Sequence, residues 1–209
     1  LTNMTFSAFD VPITAVLPEI LQAVGSVNQI ILQAPTGAGK STALPLALLQ
    51  SGRIKGKILM LEPRRVATRN IAKFIAKQLK QPVGQQVGYR VRGDSQVSAN
   101  TQLEVVTEGI LTRMIQDDPE LAGIDMIIFD EIHERHLPTD IGLALALEVQ
   151  SSLRDDLIIM AMSATLSALP LQDIMPNAQV VFSEGRSFPV DVEYVPMGAA
   201  TDWLSHMAK

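Results

Sequence analysis

Short runs of consecutive apolar residues alternate along the chain with longer segments in which apolar residues recur every three or four positions. Runs such as Ile30-Ile31-Leu32 and Met126-Ile127-Ile128-Phe129 place apolar side chains on both faces of an extended strand. This pattern is typical of strands buried inside a parallel sheet. It predicts strands at Gln29–Ala34, Lys57–Glu62, Gln86–Val91, Leu103–Thr107, Met126–Asp130, Leu157–Met162 and Gln179–Phe182.

The segments between these strands have helical periodicity, as in Arg65–Lys80, where Ile71, Phe74 and Ile75 fall on one face. We expect helices at Pro12–Val24, Lys40–Gln50, Arg65–Lys80, Glu108–Gln116 and Leu137–Ser152. Regular alternation of strand and helix indicates an α/β fold, with a mostly parallel sheet and helices on both faces. Right-handed crossovers in such a sheet bring the carboxyl ends of the strands, and any ligand, to one edge.

The pattern changes after Phe182. Residues 183–189 indicate an exit from the domain, Val190–Val195 an extended segment, and Ala199–Lys209 a helix. The chain also begins with Leu1, which is not a natural start. We therefore expect a leader or cloning remnant at 1–10, one domain at 11–185, and a linker with the truncated start of a second domain at 186–209.

Composition narrows the class of protein. The 209 residues are 47% hydrophobic and 19% charged, which supports a buried core and argues against disorder. The absence of cysteine excludes disulfides and fits a reducing, cytoplasmic location. No apolar run approaches the roughly 20 residues that span a bilayer, and the N-terminus lacks the pattern of a signal peptide. We expect a cytoplasmic monomer without a membrane partner.

Charge alone is ambiguous about nucleic acid. The net charge of −5 counts mildly against such a partner. Basic residues nevertheless cluster locally at Arg64, Arg65 and Arg69 and again at Arg90 and Arg92. Clusters of this kind are more often solvated surface than binding sites, so a motif must decide between the two.

The strongest motif is Ala-Pro-Thr-Gly-Ala-Gly-Lys-Ser, which follows a predicted strand and opens a predicted helix. Glycines allow backbone N–H groups to curl around phosphate oxygens, and the helix N-terminus adds partial positive charge. Lys40 would reach the β- and γ-phosphates, and the Ser41 hydroxyl would ligate Mg²⁺. The predicted nucleotide-binding residues are Ala34, Pro35, Thr36, Gly37, Ala38, Gly39, Lys40, Ser41 and Thr42.

A second motif, Asp130-Glu131-Ile132-His133, ends another predicted strand at the same sheet edge. Asp130 would hold Mg²⁺, and Glu131 would polarise the attacking water as general base. A transition-metal site that includes His133 and His136 is the alternative. Its spacing does not match His-Glu-x-x-His on a helix, and no cysteine or third nearby histidine is available.

Ser163-Ala164-Thr165 ends the strand predicted at Leu157–Met162. Two hydroxyl groups at that position would hydrogen-bond His133 or respond to the γ-phosphate, which would give Ser163 and Thr165 a coupling role. An ordinary helix cap is the alternative interpretation, and the tripeptide alone does not distinguish them.

Taken in order, these three motifs resemble motifs I, II and III of superfamily 2 helicases, and Asp-Glu-Ile-His resembles the DEAH/DExH branch. Further segments resemble other elements of that branch. Leu61–Ala67 is similar to motif Ia, Thr107–Leu111 to motif Ib, Gly88–Arg92 to the Gly-Tyr-x-x-Arg element, and Glu184–Val190 to the linker that leads to the second motor domain.

The resemblance implies a RecA-like P-loop domain that binds ATP, or alternatively other nucleoside triphosphates, with Mg²⁺. It implies catalytic roles for Lys40, Asp130, Glu131 and His133, and Mg²⁺ ligation by Ser41, Asp130 and Glu131. It also implies sequence-independent contacts with the backbone of RNA, or alternatively DNA. The residues expected at that backbone are Arg64, Arg65, Arg92, Thr107, Glu108 and Gly109.

The sequence departs from the family pattern in three ways. Phe74 stands where the branch usually has an arginine that stacks on adenine. We expect Phe74 to lie in the core, and stacking of its ring on the base is the alternative. No glutamine motif precedes the P-loop, so poor nucleotide selectivity is expected. Motifs IV to VI, which supply the arginine fingers, are missing, and arginine fingers contribute roughly 10³–10⁵ in rate. We expect this fragment to hydrolyse ATP very slowly. A DNA-directed translocase and a non-motor P-loop switch remain alternatives.

Overall fold

The computed structural model of the chain describes residues 11–164 and 171–185. The helices are α1 (Leu17–Val24), α2 (Ala43–Ser51), α3 (Arg65–Gln78), α4 (Glu108–Asp117), α5 (Leu137–Ser152) and α6 (Leu171–Ile174). The strands are β1 (Gln29–Gln33), β2 (Lys57–Leu61), β3 (Val87–Val91), β4 (Asp94–Gln96), β5 (Leu103–Val106), β6 (Ile124–Phe129), β7 (Ile158–Ser163) and β8 (Gln179–Phe182). Short 3-10 helices at Pro12–Ala15 and Ile132–Glu134 precede α1 and α5.

The described strands form one sheet in the order β4-β3-β5-β2-β6-β7-β1-β8. Neighbouring strands are parallel, apart from the antiparallel pair of β3 and β4. The predicted α/β fold with a mostly parallel sheet is therefore confirmed, and each predicted strand is present with ends that differ by at most two residues.

Successive residues of the central strands alternate between two apolar cores, one on each face of the sheet. Ile30 and Leu32 pack with residues from α1, α2 and α3, whereas Ile31 packs with residues from α4, α5 and α6. All three side chains are fully buried. Helices thus cover both faces, which explains why these strands are apolar at every position.

Four features differ from the prediction. The helix expected from Pro12 is interrupted after Ala15, because Pro18 has no N–H to continue the backbone ladder. The helix expected from Lys40 begins at Ala43, because residues before it form the turns of the glycine-rich loop. β4 and α6 were not predicted, since three and four residues are too few to show a period. The segments 1–10 and 186–209, with the elements expected in the latter, and Thr165 lie outside the described residues.

The sheet places four motifs at one edge, each starting directly after a strand. Ala34 follows β1, Glu62 follows β2, Thr107 follows β5 and Asp130 follows β6. Backbone bonds extend the sheet by one residue there: Ala34 N donates to Ser163 O at 3.0 Å, and Asp130 N donates to Leu61 O at 3.0 Å. The first residue of each motif is thus held by the sheet, and the following residues are free to form loops.

Candidate functional site

The phosphate loop, Ala34–Ser41, turns sharply at two glycines. Gly37 has φ 79° and Gly39 has φ 91°, a region in which other residues are strained. A Cβ on Gly39 would also lie 2.8 Å from Val11 Cγ2, whereas no described atom lies within 4 Å of a Cβ built on Gly37. Gly39 is therefore required for close packing as well as for backbone conformation.

The segment before α1 supports the underside of this loop, and sequence reasoning missed this role. Ile13 N donates to Ala38 O at 2.9 Å, and the Ile13 side chain is fully buried. The only signal in the sequence was the apolar Val11 and Ile13 beside Pro12. The peptide N–H of Ile13 thus fixes the middle of the loop from below.

Lys40 forms an ion pair with Glu131. The distance from Lys40 Nζ to Glu131 Oε1 is 2.8 Å, and the side chains are 3% and 12% exposed. The residue expected to hold phosphates and the residue expected to activate water therefore contact each other directly across the sheet edge. Because the pair is shielded from water, its electrostatic attraction is stronger than that of a surface pair.

Asp130 is fully buried beside this pair. Its Oδ1 accepts the backbone N–H of Glu131 at 2.9 Å, and its Oδ2 has no hydrogen-bond partner among the described residues. Burial raises the pKa of Asp130 to about 6, the nearby Ser41 hydroxyl opposes that rise, and the Glu131 charge adds to it. Asp130 thus has a free oxygen and an incompletely compensated charge.

His133 connects the same site to β7. The backbone N–H of Ala164 donates to His133 Nδ1 at 3.2 Å, so the ring proton is on Nε2, which lies 3.3 Å from Glu131 Oε2. Contact between His133 and the Ser163-Ala164-Thr165 segment was expected through a hydroxyl group. The structure shows a hydrogen bond from the peptide N–H of the middle residue, and a contact through a hydroxyl group stays a prediction.

The acidic loop, Asp130–His136, has an unusual backbone. Glu131 and Arg135 have φ of 51° and 54°, and they flank the 3-10 helix Ile132–Glu134. Residues other than glycine rarely adopt this conformation, and when they do they often lie at functional sites. The side-chain contacts of Glu131 and Glu134 hold both ends of this turn.

A second group of predicted residues surrounds the ends of β2 and β3. Arg64 is 62% exposed and lies between Glu62 (Nε to Oε1, 3.5 Å) and Glu134 (Nη2 to Oε1, 3.3 Å). Arg65 Nη2 donates to the carbonyl of Arg92 at 2.8 Å, which brings those two predicted residues together. An exposed basic surface therefore begins where the acidic loop ends.

Glu62, which was not among the predicted site residues, is buried at the boundary between these groups. Burial raises the pKa of Glu62 to about 7, and the Asp130 charge adds to the rise, while the backbone N–H and charge of Arg64 oppose it. The sequence signal was its position, directly after an apolar strand in the segment that resembles motif Ia.

The motif Ib residues divide between surface and interior. Gly109 is exposed and Thr107 half-buried, but Glu108 is buried and its Oε1 accepts the Thr139 hydroxyl at 2.7 Å. The expected nucleic-acid contact of the Glu108 side chain is contradicted in this arrangement, because its carboxylate is directed into the protein. The hydrogen bond instead joins the start of α4 to the first turn of α5.

Phe74 also departs from expectation. It is 40% exposed, whereas its neighbours Ile71 and Ile75 are buried in the core. The prediction that Phe74 belongs to the core is wrong, because position 74 lies at the edge of the apolar face of α3.

Two properties of the described residues bear on the class of site. No three His, Cys, Asp or Glu side chains in residues 11–164 and 171–185 converge to hold a metal on their own. Within the same residues, no helix has both the length and the apolar character that crossing a membrane requires. The site is therefore an acidic and basic edge of a sheet, with a glycine-rich loop at one end.

Comparisons with known proteins agree with this geometry. A family model described as DEAD/DEAH box helicase matches residues 14–174. The chain is 57% identical over 188 residues to the ATP-dependent RNA helicase HrpB of Escherichia coli, covering 90% of this chain and 23% of that protein. It is 38% identical to the E. coli ATP-dependent RNA helicase HrpA, covering 92% of this chain and 15% of that protein. A crystal structure of E. coli DEAH/RHA helicase HrpB superposes with a TM-score of 0.85 at 55% identity, covering 93% of this chain and 25% of that one.

Proposed function

This chain belongs to the DEAD/DEAH box helicase family, and on that premise we propose that it is the ATP-binding motor domain of an ATP-dependent RNA helicase. The observation that carries the proposal is the meeting of two surfaces at one sheet edge. Lys40, Glu131 and Asp130 surround the phosphate loop, and Arg64 bonds to the acidic loop of the same site. Such an arrangement suits a protein in which nucleotide and nucleic acid influence one another.

We propose that Mg²⁺ binds with the nucleotide at Asp130 and Ser41, with Glu131 close by. The residues fit this ion, because Asp130 has a buried oxygen without a partner and Mg²⁺ prefers carboxylate and hydroxyl oxygens. Mg²⁺ takes few protein ligands and completes its shell with phosphates and water, which fits a site without a three-residue cluster. When bound, the ion supplies positive charge that stabilises the phosphoryl group during transfer.

In the proposed reaction the chain's own residues bind phosphates and activate water. Lys40 leaves Glu131 and contacts the phosphates, and the N–H groups of the phosphate loop donate hydrogen bonds to the remaining phosphate oxygens. Glu131, released from Lys40, accepts a proton from the attacking water. His133 holds Glu131 in place through Nε2, and its contact with Ala164 connects that position to β7. Ser163 and Thr165 are proposed to take part in the same coupling.

We propose that single-stranded RNA lies across Arg64, Arg65, Arg92, Thr107 and Gly109. Guanidinium groups bind phosphate oxygens well, and backbone contacts carry no sequence information. The proposed substrate is therefore RNA of any sequence, and DNA is the alternative. Glu108 contributes by fixing the start of α4 rather than by direct contact.

We further propose that residues 186–209 lead into a second motor domain that completes the active site with arginine fingers, and that residues 1–10 precede the folded domain. The chain covers only 23% of the length of E. coli HrpB. Unwinding and translocation by a full-length protein are therefore part of what we propose. We propose a cytoplasmic location, which the absence of cysteine fits, and a monomeric state. Alone, the chain should bind ATP weakly and accept other nucleoside triphosphates.

The test is ATP hydrolysis and duplex unwinding by the full-length protein, with and without single-stranded RNA. Lys40→Ala and Glu131→Gln should each abolish both activities, while Asp117→Asn, an exposed carboxylate at the end of α4, should not. RNA-stimulated hydrolysis by the wild type is the expected result. Hydrolysis that RNA does not change would refute the motor assignment and favour the switch. Competition between RNA and DNA strands for binding distinguishes an RNA helicase from the alternative, a DNA-directed translocase.

A further inference from the structure

Arg64 connects the proposed RNA surface to the acidic loop through a single side chain. Its guanidinium contacts Glu134 Oε1 at 3.3 Å, and the other Glu134 oxygen lies 2.9 Å from His136 Nε2. Glu134 is 28% exposed and Arg64 is 62% exposed. The pair is therefore open to solvent and weak enough for another anion to displace it.

Glu134 belongs to the same turn as the proposed general base. Only two residues, Ile132 and His133, lie between Glu131 and Glu134, and the positive φ values of Glu131 and Arg135 bound the turn. Lys40 holds the first end of the turn at 2.8 Å, and Arg64 holds the other end. A change at Glu134 is thus transmitted to Glu131 through a short, conformationally restricted segment rather than through a flexible loop.

An RNA phosphate and Glu134 compete for the same guanidinium group. A phosphate offers several oxygens in a geometry that arginine binds with two parallel hydrogen bonds, whereas the Glu134 contact is single and long. Glu62, the other acidic neighbour of Arg64, is buried, whereas Glu134 is 28% exposed, so RNA bound at the surface would displace Glu134 first.

We propose that Glu134 is a positioning residue that makes ATP hydrolysis depend on RNA. Without RNA, Arg64 holds Glu134 and keeps the turn, and Glu131 with it, in the resting conformation even after nucleotide has taken Lys40. With RNA, phosphate takes Arg64, the turn is released, and Glu131 moves to its working position. The inference rests on the proposed function, since it requires RNA at Arg64.

The experiment measures ATP hydrolysis by the full-length protein with and without a single-stranded oligouridylate, together with the affinity for that RNA. Glu134→Gln should raise the RNA-free rate about two- to fivefold, which corresponds to loss of one exposed ion pair. The factor by which RNA stimulates hydrolysis should fall equally. RNA should bind more tightly, because its competitor for Arg64 is gone. Asp117→Asn removes the carboxylate partner of another exposed arginine, Arg113, and should change none of these values.

A double variant separates this role from a merely structural one. Arg64→Ala should raise the RNA-free rate as Glu134→Gln does but weaken RNA binding, and the two rate effects should not add in the double variant.

The outcomes also distinguish this inference from the proposed function. Wild-type stimulation by RNA, together with unchanged stimulation in Glu134→Gln, would overturn the inference alone. Additive effects of the two single variants would do the same. A wild type that RNA does not stimulate would overturn the proposed function and this inference with it.

Discussion

Replacing Glu131 with glutamine should tighten nucleotide binding while it abolishes hydrolysis. In the structure, Lys40 and Glu131 are 2.8 Å apart and nearly excluded from solvent. If Lys40 binds the phosphates, nucleotide binding must first separate this pair. The free energy of that separation is lost from the binding affinity, so weakening the pair should return it.

The size of the effect follows from the type of bond. Hydrogen bonds to charged groups contribute about 1.5–3 kcal/mol, and neutral ones contribute about 1 kcal/mol. Glutamine keeps an oxygen acceptor but loses the charge, so the pair should weaken by about 1–2 kcal/mol. The Kd for ATP should therefore fall about 5- to 30-fold. Loss of the carboxylate base should reduce the hydrolysis rate by about 10²–10⁴.

Titration of a fluorescent ATP analogue into the 209-residue chain measures the first effect, and single-turnover hydrolysis in the full-length protein measures the second. The decisive control is the Lys40→Ala background, in which Glu131→Gln should give no gain in affinity. Equal or weaker binding by Glu131→Gln, or the same gain without Lys40, would refute the competition between Glu131 and phosphate.

Three further predictions concern stability and backbone. Thr139→Val leaves the buried Glu108 carboxylate without its hydrogen bond, which should lower the free energy of unfolding by about 1–3 kcal/mol. In differential scanning calorimetry, Tm should fall by roughly 2–4 °C for each kcal/mol lost. An unchanged Tm would contradict this prediction. The pKa of Glu62 is raised to about 7, so its neutral form stabilises the fold at acid pH and that stability is lost as pH rises through about 7. The wild-type Tm should therefore decline relative to that of Glu62→Gln between about pH 5 and 8, and parallel curves would exclude the effect. Gly37→Ala should lower the free energy of unfolding by about 1–2 kcal/mol, because alanine is strained at positive φ. Gly39→Ala should lower it further, because its Cβ would also clash with Val11. Equal losses of unfolding free energy on chemical denaturation would show that packing at Gly39 does not matter.

The pattern of apolar residues was sufficient for the fold because each central strand is buried on both faces. Runs such as the one around Ile128 have no other stable location in a protein of this size. The start of α2 was harder to predict, because the turns at Gly37 and Gly39 delay the helix until Ala43. Short elements such as β4 depend on pairing with β3, and a three-residue segment shows no periodicity of its own.

At the site, residue types predicted which groups would meet, but not which bonds they would form. Lys40 and Glu131 were assigned to different tasks, and only the folded chain shows that they bond to each other. The internal bond of Glu108 was also hidden, because its partner Thr139 is 31 positions away in the chain. Contacts of this kind depend on how the helices are placed in the fold, which the pattern of a single sequence does not predict.

The order of strands in the sheet has a consequence for synthesis on the ribosome. β1, which carries the phosphate loop, pairs with β7 and β8, and the side chain of Asn28 just before β1 bonds to Asp155, 127 positions later. An emerging chain therefore holds an apolar strand without neighbours until most of the domain has been translated. Long-range parallel pairing of this kind forms slowly, and until it forms, apolar segments that are prone to aggregate stay exposed. The nucleotide site should consequently be the last part of this domain to mature, and nascent chains that stall before β7 should be substrates for chaperones rather than binders of ATP.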